Sequence, residues 1–175
     1  NGYQIKENTT NKVYYYNEDG CLTAIVDTHG NQTKIDYCGT TIQRMTLASG
    51  QYLDFTYETG KVTRITDRAG RSVCYEYDGD LLTSVIDPNG GVLKYEYNSR
   101  SLIASITDQN GIKYLHNTYD NLGRVTRQDI ANGEEHVFLY HDANRQNIYI
   151  NPQSGRRTTY YYNQDKLMTK VEYDD

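Results

Sequence analysis

Asp27, Asp67, Asp87, Asp108 and Asp129 recur at intervals of about 20 or 40 residues, and rows of carboxylates are the donor type that a hard cation such as calcium prefers. Such a cation takes six to eight oxygens within about 2.6 Å. If each repeat is one β-hairpin, it advances two strands, which places equivalent carboxylates roughly 10 Å apart. One carboxylate per rung does not enclose an ion. The better role is local. Asp27-Thr28-His29-Gly30, Asp67-Arg68-Ala69-Gly70, Asp87-Pro88-Asn89-Gly90 and Asp108-Gln109-Asn110-Gly111 each set Asp first and Gly last in a four-residue turn. There the carboxylate accepts backbone N–H groups two residues on, and the glycine supplies positive φ without steric cost. Leu47 stands in the aspartate place before Gly50, and Asp129 precedes Gly133 by one residue more.

Other chemistry is sparse. His29 falls in a turn, and His116, His136 and His141 lack the spacing of a zinc-ligand pair. There is no GxSxG and no histidine beside a cysteine to activate a thiolate. Cys21, Cys38 and Cys74 form no CxxC and no disulfide framework. Asn8-Thr9-Thr10 and Asn31-Gln32-Thr33 fit the glycan acceptor pattern, which matters only in a source that glycosylates secreted proteins. No catalytic residue, metal ligand or cofactor is expected, and the chain does not read as an enzyme. Tyrosine is the residue in excess, with 19 of 175, beside two Phe and no Trp. Rows of Tyr next to Asp, Asn and Glu serve carbohydrate-binding faces, and they equally serve a half-wet packing face. Here the aromatic recurs on every rung at one register, which suits packing, whereas a binding site would concentrate in one or two units.

The formal net charge of −5 gives no footprint for nucleic acid, and no apolar run approaches the ~18 residues of a membrane span. Two prolines, 14 glycines and many Thr, Val and Ile are the composition of strands joined by glycine turns. There is no initiator Met or signal segment, and the array stops mid-unit at Asp174 and Asp175. Residues 1–175 are therefore expected to be one array of about eight hairpin units taken from a longer protein.

Gly30, Gly50, Gly70, Gly90, Gly111, Gly133 and Gly155 mark the repeat, and Tyr16, Tyr37, Tyr57, Tyr77, Tyr97, Tyr119, Tyr140 and Tyr162 keep the same rhythm. An aliphatic residue opens each unit: Leu22, Ile42, Val62, Leu82, Ile103, Val125, Ile148 and Leu167. Aliphatic-to-glycine is eight residues except from Ile148, and glycine-to-tyrosine is seven except from Gly111. Tyrosine to the next aliphatic runs 6, 5, 5, 5, 6, 6, 8 and 5. Length variation thus collects in one place. Paired strands hold their length because a one-residue slip reverses every side chain, whereas exposed turns absorb insertions. Each unit reads as strand, fixed glycine turn, strand, variable turn.

The strand entering each tyrosine alternates. Leu53, Phe55 and Tyr57 share a face, as do Val73, Tyr75 and Tyr77, and Leu93, Tyr95 and Tyr97. Tyr15 and Tyr161 fall on the opposite face. The extra residue before Tyr119 puts Asn117 in the aromatic column and predicts a bulge there. The opening strands are less regular: Val62 and Ile65, or Leu82 and Val85, lie three apart. Either both faces are partly covered or a bulge recurs. A four-bladed propeller is the competing fold, but propellers alternate odd and even hairpins, and here every unit carries one signature.

That signature is a strand ending Tyr-x-Tyr, then Asp or Asn, a short turn, and aliphatic-Thr-x-aliphatic-x-Asp-x-x-Gly. Tyr75-Glu76-Tyr77-Asp78, Tyr95-Glu96-Tyr97-Asn98 and Tyr119-Asp120-Asn121-Leu122-Gly123-Arg124-Val125-Thr126 carry it. It closely resembles the YD-repeat, or Rhs-repeat, family from about Tyr14 to Tyr173, with departures at Cys38, Glu58 and His141. That family includes bacterial Rhs and wall-associated polymorphic toxins, insecticidal toxin-complex shells and animal teneurins. The resemblance implies an all-β fold of tandem hairpins in one long curved antiparallel sheet of about sixteen strands, part of a spiralling shell. It implies a structural, encapsulating module of a secreted or cell-surface protein, enclosing a C-terminal cargo and partnered by the rest of its own polypeptide. The family's self-cleaving C-terminal segment is not recognisable, and Asp87-Pro88-Asn89-Gly90 sits in an ordinary repeat turn. The alternative is a carbohydrate-binding or adhesion module using the Tyr rows. Self-association through edge strands is also expected, at Tyr14-Tyr15-Tyr16 or Tyr160-Tyr161-Tyr162.

Overall fold

The computed structural model describes residues 2–174. Its seventeen strands belong to one antiparallel sheet, and a 3-10 turn at Asp142–Asn144 is the one helical element among the described residues. The count exceeds sixteen because Tyr3–Lys6 adds a strand ahead of the first tyrosine rung. Tyr3 stacks on Tyr16 there, with ring centroids 5.0 Å apart.

The chain divides into two compact units, Asn1–Glu76 with Val85–Gly90 and Tyr77–Ser84 with Gly91–Asp175. In the first, β1 (Tyr3–Lys6), β2 (Val13–Tyr16), β3 (Leu22–Val26), β4 (Gln32–Cys38), β5 (Thr41–Thr46), β6 (Tyr52–Glu58), β7 (Lys61–Asp67) and β8 (Ser72–Asp78) pair in succession. β9 (Leu81–Ile86) follows in sequence. In the second, β10 (Val92–Tyr97), β11 (Ile103–Thr107), β12 (Lys113–Tyr119), β13 (Val125–Ile130), β14 (Glu135–His141), β15 (Gln146–Ile150), β16 (Arg157–Tyr162) and β17 (Met168–Tyr173) do the same. β2 therefore has β1 and β3 on its two sides, and β16 has β15 and β17. The Tyr14-Tyr15-Tyr16 and Tyr160-Tyr161-Tyr162 strands, expected to be free edges, are interior strands with both ladders filled.

A recurrent bulge accounts for the irregular period of the opening strands. Phe55 faces Ile65 and Tyr57 faces Val62, so residues two apart on β6 meet residues three apart on β7, and Thr63 is the extra residue. The same slip puts Tyr14 and Tyr16 against Ile25 and Leu22, Tyr95 and Tyr97 against Ile106 and Ile103, and Tyr160 and Tyr162 against Val171 and Met168. A bulge of one residue lets both aliphatics share the aromatic face. The bulged threonine takes a bond of its own: Thr23 Oγ1 donates to the Tyr15 carbonyl and Thr169 Oγ1 to the Tyr161 carbonyl, each at 3.2 Å. β14 and β15 pair without a slip, and Tyr140 faces Asn147. Asn147 and Met168 thus take the places assigned from sequence to Ile148 and Leu167.

β12 is also bulged, but at Tyr114, which is skipped between Lys113 and Leu115, rather than beside Asn117. Asn117 does join the aromatic column: its Nδ2 lies 3.3 Å from both the Ile103 carbonyl and Tyr119 Oη. Little of either face is fully covered. Among the described residues the buried apolar side chains are Ala24 and Ile35, and the buried polar ones are Ser84 and Ser105. In-sheet neighbours half-cover the tyrosines, and complete burial needs an atom layer stacked above them.

Candidate functional site

The repeated tyrosine has a specific bond to make. A bulge turns one carbonyl of the opening strand out of its ladder. Tyr37 Oη donates to the Leu22 carbonyl at 2.9 Å, Tyr97 Oη to Leu82 at 2.8 Å, Tyr119 Oη to Ile103 at 2.6 Å and Tyr140 Oη to Val125 at 2.7 Å. Each acceptor is the aliphatic residue that opens the unit. Burial raises the Tyr37, Tyr95 and Tyr140 phenols above their ordinary value, so they remain proton donors at neutral pH. Tyr57 and Tyr77 lie at the same register on β6 and β8, Tyr57 facing Val62. Asn147, with no bulge beside it, donates its amide to Tyr162 Oη at 3.4 Å instead.

The turn residues close the hairpins. Gly30, Gly70, Gly90 and Gly111 donate N–H to the carbonyls of Asp27, Asp67, Asp87 and Asp108 at 3.0–3.1 Å. Asp27 Oδ1 accepts from His29 and Asn31 N–H, Asp67 Oδ1 from Ala69 and Arg71, Asp87 Oδ1 from Asn89, and Asp108 Oδ1 from Asn110 and Ile112. Gly50 and Gly133 close on Leu47 and Ile130, which have no side-chain acceptor. Asp129 lies on β13 instead, paired with Arg127 at 2.8 Å. At the variable turns, Asn98, Asp120 and Asn163 accept from N–H groups two and four residues on. Each follows the repeat tyrosine directly, so the Tyr–Asp/Asn pair joins a bulge clamp to a turn cap. Where Cys38 or Glu58 follows instead, a two-residue turn runs through Gly39 or through Thr59 and Gly60 at positive φ.

The opposite face of β10–β14 carries a polar row that the sequence did not reveal. Glu96, Ser105, His116, Asp129 and Glu135 are successive cross-strand partners. Ser105, His116 and Asp129 are residue types of a nucleophile triad, but Ser105 is 1% exposed and donates its hydroxyl to Glu96. Lys113 reaches Glu96 at 2.7 Å, and Arg127 bridges Asp129 and Glu135 at 2.8 and 3.1 Å. Lys113 holds the Glu96 carboxyl below the usual range and Arg127 does the same for Asp129. The row is a network of ion pairs whose serine is shielded and already bonded. The three cysteines are free, and no group of three His, Cys, Asp or Glu is placed to hold a metal among the described residues. His136 Nδ1 lies 2.6 Å from Tyr149 Oη.

The aromatic face opens into a groove over β14–β16. One part, of about 420 Å³, is lined by Phe138, Tyr140, Asn147, Ile148, Tyr149, Tyr160 and Tyr162. It continues into about 480 Å³ between the turns that follow β14 and β16, where Arg124, Asp142, Arg145 and Lys166 stand. The Arg124 guanidinium lies 4.2 Å over the Tyr140 ring and pairs with Asp120 and Asp142 at 2.8 and 2.7 Å. The 3-10 turn Asp142–Asn144 builds one side of this mouth.

The Teneurin YD-shell family model matches residues 2–117. No curated protein matches the sequence. Among solved structures, the crystal structure of TcdB2-TccC3-Cdc42 aligns with 99% of this chain and 10% of that one, at 17% identity and a TM-score of 0.51. The crystal structure of TcdB2-TccC3-TEV aligns with 93% of this chain and 9% of that one, at 18% identity and a TM-score of 0.51. A Tc holotoxin pore structure from Photorhabdus luminescens aligns over the same shares at 19% identity and a TM-score of 0.49. The chain spans about a tenth of the length of these chains, and at such identities the likeness is one of fold. The family match covers well over half of the sequence, and the protein belongs to the Teneurin YD-shell family of YD-repeat, or Rhs-repeat, proteins.

Proposed function

We propose that this chain is a stretch of β-shell wall, a structural module that encloses a C-terminal cargo of its own parent polypeptide. The observation that carries the reading is the half-covered aromatic face. Among the described residues only Ala24 and Ile35 are buried apolar side chains, while Tyr16, Tyr57 and Tyr97 face Leu22, Val62 and Ile103 at one register. A sheet that keeps such a face without a second layer is suited to line an enclosure, where the enclosed material supplies the missing contacts. The 1–175 array of about eight hairpins then works by exclusion. Tyr37, Tyr57, Tyr77, Tyr97, Tyr119 and Tyr140, the turn glycines and Asp27, Asp67, Asp87 and Asp108 serve wall geometry, and no catalytic step is assigned to them. A secreted or cell-surface setting accords with this reading. No helix among the described residues is long and apolar enough to cross a membrane.

Limited proteolysis of the intact parent, with mass spectrometry of the survivors, tests it. A C-terminal fragment protected beside a resistant repeat core, and digested once that core unfolds, is the expected result. A resistant core with nothing shielded beside it overturns the enclosure reading.

A further inference from the structure

We propose that the groove over β14–β16 docks an acidic peptide segment, with an apolar side chain on its floor and carboxylates at Arg145 and Lys166. The floor is largely ring surface, and two of its tyrosine hydroxyls are already spent as donors or partners. Tyr140 Oη is spent on the Val125 carbonyl, Tyr149 Oη on His136, and Tyr162 Oη accepts from Asn147. Arg124 covers the Tyr140 ring, and the Phe138 side chain offers no hydrogen bond at all. Sugar hydroxyls brought to this floor would exchange their water for only the tips left over, Tyr160 Oη and the Tyr162 O–H, which weakens binding. An aliphatic or aromatic side chain meets no such penalty.

The mouth is cationic in a chain of net charge −5. It holds Arg124, Arg145 and Lys166 against the single carboxylate Asp142. Arg124 is neutralised by Asp120 and Asp142, whereas neither Arg145 nor Lys166 has a carboxylate within ion-pair range among the described residues. Both cations also occupy backbone positions that disfavour them. Arg145 has φ 53 and Lys166 φ 62, the left-handed place that Gly20 and Gly123 fill in equivalent turns. Glycine is the natural residue there, and a side chain retained in that conformation points to a use for it. Ser101 holds the same place at φ 58 with a small side chain, whereas the two cations there, Arg145 and Lys166, line one groove. β14, β15 and β16 are paired on both sides, so recognition runs through side chains rather than strand addition.

The test is fluorescence anisotropy of the whole chain with a labelled peptide, Gly-Asp-Glu-Leu-Phe-Glu-Gly. Its comparators are a peptide with amides for carboxylates, a peptide with Ser for Leu and Phe, and unlabelled trigalacturonate as competitor. The acidic apolar peptide is expected to bind at least about tenfold tighter than either altered peptide, the size of one lost charge-assisted bond or one lost apolar contact. Arg145→Gly with Lys166→Gly is expected to weaken it by about tenfold or more while leaving the melting temperature unchanged or higher, which separates lost binding from lost folding. Equal binding of the Ser peptide would reduce the site to unspecific charge. Trigalacturonate displacing the peptide at lower concentration than the peptide itself would make it a glycan site. Absent binding, or full binding by the double variant, overturns the proposal.

Discussion

Tyr97 Oη donates a 2.8 Å hydrogen bond to the carbonyl of Leu82, the residue fifteen positions earlier that opens its own repeat. The bond ties β10 back to β9 and gives the Leu82 carbonyl a side-chain donor. Tyr97→Phe keeps the ring and removes only this bond. The expected cost is about 1 kcal/mol, typical of a neutral bond lost at a half-covered site. Tyr162→Phe should cost less, since Tyr162 Oη only accepts a 3.4 Å contact from the Asn147 amide. Urea unfolding of the two variants beside the parent checks the order, and equal costs would remove the clamp from the account.

The sequence carried this arrangement without displaying its cause. Regular distances from Gly30 to Tyr37 and from Val62 to Gly70 state that strands are paired at fixed length. The three-residue step from Val62 to Ile65 held the bulge, yet a bulge is decided by what the neighbouring strand presents, here Tyr57 and Phe55. The same dependence hid the breaks in pattern. Ile148 looks like the opening aliphatic of its unit, but β14 pairs without a slip and Asn147 takes the place, which restores eight residues to Gly155. The polar row from Glu96 to Glu135 was illegible because it joins five strands through register alone. The groove was equally so, since Arg145 and Lys166 lie 21 residues apart and meet only through the turns that carry them.

Gly90 tests the fixed turn. Its φ is 87, and a β-carbon added there would meet nothing within 4 Å. Any cost of Gly90→Ala is therefore conformational and should be about 1–2 kcal/mol, with Gly90→Val higher because of its branched Cβ. Thermal melts of both variants read this directly, and melting temperatures equal to the parent's would exclude a required left-handed residue.

Ser105 tests the polar row. It is 1% exposed between Glu96 and His116 and gives its hydroxyl to Glu96. Ser105→Leu adds volume where neighbours already close over the site, and about 1–3 kcal/mol of destabilisation is expected. Ser105→Ala should cost less, since Lys113 still holds Glu96. A leucine variant as stable as the parent would show that the row parts freely.

Acid should weaken the fold through its turns. Asp67 sits below the ordinary carboxylate range chiefly through its bond from Arg71, and Asp120 chiefly through the backbone N–H of Arg124. A carboxyl depressed in the folded chain contributes stability above its unfolded value near 4, and that contribution is lost as pH falls through the lower folded value. The melting temperature is therefore expected to hold from pH 7 to about 5 and then to decline toward pH 2. Asp67→Asn with Asp120→Asn keeps the side-chain oxygen that accepts the turn N–H groups and removes only the charge. That variant should melt below the parent at pH 7 and converge with it at pH 2, giving a flatter acid limb. An acid limb as steep as the parent's would place the acid sensitivity in other carboxylates, Asp54 beside Arg44 first among them.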